Sequence, residues 1–564
     1  MHKPLLALAA ALLSAAAHAD TLVDNVRGIQ VGSDGNLDRF VGLVVGDDGK
    51  VVQLIRADDE KQPANITRRI DGGGRNLLPG LIDAHGHVVD SPGQGMGLGL
   101  ASLRLDLNGV RSIVELQQRL TAYAAANPDV PWILGRGWNQ ELFAEDRFPT
   151  AGDIDSVVPG RPVWIERVDG HAAVANSAAL TAAGVTAATG DPAGGRIERD
   201  SAGAATGLFI DNATALVTNR VPPPSDALMD RALVAAQERL LANGITAAAD
   251  MGTSRAGWAT MRRLGEGGRL TIRIMAYADS FEPFGSVAGS IPTPWLYGDR
   301  LRLGGVKLYA DGALGSRGAW LKRPYADQPD SSGLSLLTDA QLRAQASQAA
   351  AAGFQVAIHA IGDRANAQAI DTFEALNRGT DRRWRIEHVQ IIDPVDIPRL
   401  ARAGIIASMQ PTHQTSDRTM AEKRLDPPRL VGAYAWRTLE KSGARLAFGS
   451  DFPVESPNPF PGLAAAISRQ DPQGQPPGGW RPEERVSFAT ALAGFTRNAA
   501  FAGFAEDRIG SLEPGKWADF ILIDRDVSAV DPQALAATQV LETWVAGKKV
   551  WEKAPSAGSG ERGR

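Results

Sequence analysis

Cysteine is absent from this 564-residue chain. That excludes disulfides, a thiolate zinc site and a cysteine nucleophile together. No G-x-S-x-G elbow occurs, so a covalent serine route is poorly supported. Neither sign of charge dominates: 59 Lys and Arg face 64 Asp and Glu, a formal net charge of −5. A nucleic-acid partner is therefore not expected. Beyond the first twenty residues no run is apolar enough to span a bilayer, and no internal repeat is evident. Histidine is scarce too, with eight in all, so the position of each is informative.

Hydrophobic content of 44% and charged content of 22% are ordinary for a soluble globular protein. The length calls for two or three domains. The opening stretch, MHKPLLALAAALLSAAAHAD, reads as a secretory signal: Lys3, an apolar stretch from Leu5 to Ala17, and a small-x-small site at Ala17-His18-Ala19. Residues 1–19 are expected to be removed, which gives an exported and, in a Gram-negative source, periplasmic protein with no membrane attachment. Six histidines then remain: His85, His87, His171, His359, His388 and His413.

Eight strand-like runs, each followed by loop and helical stretches, occupy the middle of the chain: LLPGLIDAH, GITAAADMG, TIRIMAYAD, LRLGGVKLYADG, FQVAIHAIGD, WRIEHVQ, GIIASMQP and ARLAFGSD. Strand–helix alternation repeated eight times predicts an α/β fold of the (β/α)₈ TIM-barrel type. An open doubly wound sheet is the alternative, but it commonly carries a Gly-rich phosphate loop after its first strand, where histidines stand here. The barrel is placed at 77–507. Alternating runs near both ends, broken by Asp-Gly turns, predict a small β-sandwich from 20–76 plus 508–552. About 150 residues separate His87 from Gly244, far more than a simple strand–helix–strand unit. An inserted subdomain at about 105–230, after barrel strand 1, is expected over the barrel mouth. The Gly/Ser-rich tail, 553–564, is expected to be disordered.

Barrel enzymes work at the C-terminal ends of their strands. Those ends carry His85 and His87 (strand 1), Lys307 (strand 4), His359 (strand 5), His388 (strand 6) and Asp451 (strand 8). Side chains at i and i+2 on a strand share a face, and Gly86 between the pair is read as leaving room for a metal. Neutral imidazoles are good ligands for Zn²⁺ and similar cations. Asp451 alone could equally be a helix N-cap.

PGLIDAHGH (79–87), His359 in AIHAIGD, His388 in IEHVQ and Asp451 in FGSDFPV resemble the amidohydrolase superfamily of metal-dependent barrel hydrolases. KLYADGALGSRGAW (307–320), HAIGDRAN and GSDFPVESPNPF look like the group that includes N-substituted formamide deformylase, amidohydrolase family 3. The resemblance spans nearly all of the mature chain. It implies a divalent metal cofactor, Zn²⁺ favoured and Fe²⁺ or Mn²⁺ compatible, at one or two ions per chain. His85 and His87 would hold one ion, with His359 and His388 completing that site or holding a second. Asp451 would bind metal, take the proton of the attacking water and pass it to the leaving nitrogen. In related proteins a strand-four lysine carries a CO₂-derived carbamate that bridges two metals; Lys307 matches that place, and two ions follow if it is carboxylated. As an ordinary cation it would instead position substrate or Asp311.

The implied activity is hydrolysis of a non-peptide carbon–nitrogen bond, an amide or N-formyl or N-acyl amine, in a small-molecule substrate. A deaminase on the same barrel would carry a glutamate shortly after the strand-five histidine; this chain reads His359-Ala-Ile-Gly-Asp363. A lactone or phosphoester hydrolase, or a non-catalytic exported metal-binding or regulatory protein, are the other readings. His171, His413, Arg317, Trp138 and Tyr309 are candidate substrate-binding residues, with Asn139, Asp169 and Ser316 as further pocket candidates. Gly312 and Gly315 are expected to let the strand-four loop approach the metals. A homodimer is the base-rate expectation.

Overall fold

Eight parallel strands form one sheet, each hydrogen-bonded to the next in chain order: Leu81–Gly86, Ile245–Thr253, Arg273–Asp279, Leu301–Tyr309, Gln355–Ala360, Arg385–His388, Ile406–Met409 and Arg445–Phe448. They are called barrel strands 1 to 8 below. Strand 8 returns to strand 1 through Asp451 N–H to the His85 carbonyl (2.7 Å) and His87 N–H to that of Phe452 (2.8 Å), so the barrel is nearly closed. The computed structural model describes residues 20–90, 97–280, 289, 291–376, 379 and 381–554. The expected signal and most of the expected tail lie outside these. No helix among the described residues is long and apolar enough to cross a membrane.

Strands covered on both faces favour apolar residues, and the sequence supplies runs rich in them. Ile245–Thr253 and Gln355–Ala360 are buried at every position. Two of the long helices between the strands start at clear caps. Ser225 accepts from Leu228 N–H to start Asp226–Ala242, and Thr338 with Gln341 makes a capping box before Asp339–Ala351.

The barrel begins later than expected. Leu77, Leu78 and Pro79 are not part of it; they end the long strand Ile66–Pro79 and pair with Leu522, Ile521 and Phe520. The terminal strands form one continuous eight-stranded sheet rather than two separate ones. That sheet curls, because Leu43, Val45 and Leu54 from one end share a core cluster with Phe520 and Trp544 from the other. The insertion carries its own six-stranded sheet, from Leu105–Asp106 to Ala205–Asp211, over a separate core that includes Ile113, Leu116, Val163 and Leu208.

Arg273 at the start of barrel strand 3 joins barrel to terminal sheet. It is fully buried, and its Nε and Nη2 donate to the two oxygens of Asp519 at 2.7 and 2.9 Å. Removing one partner of a buried pair leaves the other charge uncompensated. Asp519→Ala is expected to cost about 3–5 kcal/mol, read by denaturant unfolding; an unchanged midpoint would contradict the pair's role.

Candidate metal centre and cavity

The ends of barrel strands 1, 6 and 8 bring His85, His388 and Asp451 together. One ligand atom from each lies within 4.8 Å of the others, and all three residues are buried. His85 Nε2 and His87 Nε2 stand 3.3 and 3.1 Å from Asp451 Oδ1. His388 and Asp451 hold positive backbone φ angles of 78° and 59°. Such strain persists where surrounding structure enforces it, often at functional sites. Here the Asp451 N–H bond to the His85 carbonyl supplies part of that enforcement. Asp451 is not a helix cap; Asn458 caps the next helix, Pro459–Ser468.

The outer partners fix which ring nitrogen faces inward. His85 Nδ1 donates to Glu387 Oε2 at 2.6 Å, and His388 Nδ1 donates to Gln410 Oε1 at 2.9 Å. The His85 ring therefore turns its Nε2 to Asp451, while His388 keeps Nδ1 4.0 Å from Asp451 Oδ2 and its buried Nε2 without a hydrogen-bond partner. Carboxylate or amide partners behind ligating histidines are the usual way to set ring orientation. Burial, reinforced by neighbouring charge, holds the His388 and His359 imidazoles well below their ordinary range and His87 down to about 4. They are neutral, as metal ligation requires. Burial alone would raise Asp451, but the imidazoles of His85 and His87 outweigh it and hold the carboxyl well below the usual range. Three-dimensional convergence of neutral nitrogens on a carboxylate fits a divalent cation.

His359 lies alongside, its ring 4.6 Å from that of His388 and its Nε2 3.6 Å from Asp311 Oδ1. Lys307 is fully buried, with Nζ 3.4 Å from His85 Nε2 and 4.9 Å from the Tyr309 ring centre. Burial pushes its ammonium down to about 8. It does not hold Asp311, which accepts backbone N–H groups of Trp320, Ile361 and Gly362 instead.

Above these residues opens a cavity of about 500 Å³, walled by the barrel loops and the insertion. His171, His359, His388, His413, Asp451, Asn139 and Asp169 face it. His171 comes from the insertion and is oriented by Asp211, whose Oδ1 accepts from its Nδ1 at 2.7 Å. Four candidates stand elsewhere. Trp138 is buried in the insertion core, donating to the Ile165 carbonyl, because a large indole gains more from core burial than from a wet wall. Arg317 is drawn to Asp327 at 2.9 Å. Tyr309 packs beside His359, 5.9 Å between ring centres, behind the wall. Ser316 is likewise buried, its Oγ donating to the Ala313 carbonyl.

The glycines serve other contacts than expected. A Cβ on Gly86 would meet the Phe452 ring at 2.3 Å, so this glycine admits a phenyl ring from strand 8's loop rather than a metal. A Cβ on Gly312 would meet the Asp211 carboxylate, and one on Gly315 the Arg167 guanidinium, both within 3 Å. The strand-four loop thus approaches the insertion. Glu387, Arg385, Gln410, Gln390, Asp211 and Glu455 were not picked out from sequence. Charges at alternate positions of the buried strand RIEH were a readable signal for Arg385 and Glu387.

Residues 68–551 match the amidohydrolase family. Protein LONG AFTER FAR-RED 3 of Arabidopsis thaliana is 36% identical over 504 residues, covering 86% of this chain and 84% of the relative. N-substituted formamide deformylase of Arthrobacter pascens is 27% identical over 506 residues, covering 86% and 90%. The crystal structure of an uncharacterized metal-dependent hydrolase from Pyrococcus horikoshii OT3 superimposes with a TM-score of 0.73 at 28% identity, covering 91% of this chain and 99% of that one.

Proposed function

The chain belongs to the amidohydrolase family of metal-dependent hydrolases, and from that premise we propose that it hydrolyses a non-peptide carbon–nitrogen bond, in an amide, N-formyl or N-acyl amine of a small molecule. The observation that carries this reading is the buried convergence of His85, His388 and Asp451 beneath a cavity of small-molecule size. The similarity to N-substituted formamide deformylase supports the choice of bond.

His85, His87, His359, His388 and Asp451 would hold one or two divalent cations, most simply Zn²⁺. A divalent ion there acidifies water and polarises a carbonyl. Asp451, kept anionic by its imidazole neighbours, accepts the proton of the attacking water and returns it to the leaving nitrogen. Glu387 and Gln410 hold the rings of His85 and His388 in register. The insertion and its His171 close the cavity over the substrate and limit access of bulk water.

The test is a screen of purified, metal-loaded protein on N-formyl amines, N-acyl amines, prolyl dipeptides and nucleobases, with and without chelator. Chelator-sensitive turnover of the first two classes is expected. Turnover confined to prolyl dipeptides or nucleobases would overturn the choice of bond.

Lys307 would enter as its carbamate, formed when the neutral amine adds CO₂ and gives up a proton to solvent; burial favours the neutral amine. Lying 3.4 Å from His85 Nε2, it would bring a carboxylate to the ligand set. Elemental analysis should give two metals per chain in bicarbonate-containing buffer, and one or none for Lys307→Met. Equal metal content in both would make Lys307 an ordinary cation.

A further inference from the structure

We propose that His413 donates a hydrogen bond from Nε2 to the carbonyl oxygen of the scissile group, and to the oxyanion this oxygen becomes during attack. The assignment rests on the hydrolytic reading above, and deepens it by naming the residue that meets the developing charge. His413 follows barrel strand 7 in the first turn of the helix Pro411–Arg424, is 5% exposed and faces the cavity.

Its tautomer is set by its neighbour. Gln390 Nε2 lies 3.1 Å from His413 Nδ1. An amide nitrogen only donates, so Nδ1 accepts and a ring proton sits on Nε2. That nitrogen is buried and has no hydrogen-bond partner. It stands 3.8 Å from Asp451 Oδ2, beyond hydrogen-bonding distance. The His413 ring runs nearly parallel to that of His388, at 20° and 6.1 Å between centres. A buried donor left unmade costs free energy that an arriving acceptor recovers. The acceptor that must arrive beside both the proton-accepting carboxylate and a metal-ligating ring is the electrophile's oxygen. Fixed donors aimed at developing negative charge are a large source of acyl-transfer rate. The proton stays on Nε2 throughout: the new bond is water oxygen to carbonyl carbon, the broken one carbon to nitrogen, and the transferred proton travels through Asp451.

The test compares metal-loaded wild type with His413→Gln, His413→Asn and His413→Leu. A glutamine amide reaches the Nε2 position and an asparagine amide the Nδ1 position, so only the first restores the donor. Metal content and thermal midpoint are measured for all four. Formate, a carboxylate product of the proposed reaction, serves as binding probe by calorimetry. Glutamine is expected to bind formate within about threefold of wild type, and asparagine and leucine about tenfold or more weaker. With an N-formyl amine, kcat/KM should fall about 10²–10³-fold in the asparagine and leucine variants and recover with glutamine. Equal formate affinity in all four proteins, no formate binding to wild type, or equal damage by glutamine and asparagine would each overturn the proposal. Formate binding ordered as expected without turnover of any N-formyl or N-acyl amine would sink the bond assignment and leave the donor standing.

Discussion

Asp451→Asn is expected to lower kcat by about 10²–10⁴-fold while the protein stays folded and keeps its metal. Asparagine preserves the side-chain volume and an oxygen for His85 and His87, which lie 3.3 and 3.1 Å from Oδ1. It removes the proton-accepting charge. The carboxyl is held well below its usual range, which favours the proton-accepting form. Loss of turnover with metal retained, read by steady-state kinetics beside elemental analysis, separates a base from a ligand. Metal lost along with turnover would assign Asp451 to ligation alone. Unchanged turnover would remove it from the chemistry.

Glu387→Gln is expected to lower stability and metal affinity together. Glu387 is fully buried. Its Oε1 accepts from Arg385 Nε at 2.5 Å, and its Oε2 accepts from Arg385 Nη2 at 3.0 Å and His85 Nδ1 at 2.6 Å. Arg385, also fully buried, further donates to the Ala84 carbonyl and Ser408 Oγ. The neutral amide leaves that guanidinium without its anion at a cost of about 3–5 kcal/mol. It also loosens the orientation of His85, and metal affinity should fall about 10–100-fold. The pH dependence has a definite sign. Burial alone would raise Glu387, but Arg385 and His85 depress it far below 4.5. Its contribution is therefore complete above about pH 4.5 and is lost as pH falls toward the folded-state value. Wild type should lose its advantage over Glu387→Gln on acidification below about pH 4, read by urea midpoints of metal-free protein across pH. A constant difference between the two down to pH 2 would refute the linkage.

The barrel was legible because its strands are continuous apolar runs that end in residues of unlike chemistry. His85, His388 and Asp451 each stand at the end of such a strand, and the fold brings these three within 4.8 Å of one another. What escaped was the layer behind them. Nothing in sequence spacing says that Glu387, next to His388 in the chain, supports His85 rather than its neighbour; strand alternation turns it to the other side. Gln390 and Gln410 are ordinary amides until folding sets them against His413 and His388. Trp138 and Arg317 failed for the same reason in reverse: an indole and a guanidinium found nearer partners in Ile165 and Asp327. Gly86 was assigned to the right strand end and the wrong neighbour, since only the fold reveals that Phe452 arrives there.

The strand Ile66–Pro79 pairs on one side with Asp20–Val31 and on the other with Phe520–Ile523. Until Phe520–Ile523 docks, Asn76–Pro79 presents a hydrogen-bonding edge with no partner on that side, the kind of surface that recruits other chains. Docking of this sequence-distant strand, rather than completion of the barrel, is what closes that edge against other copies of the chain.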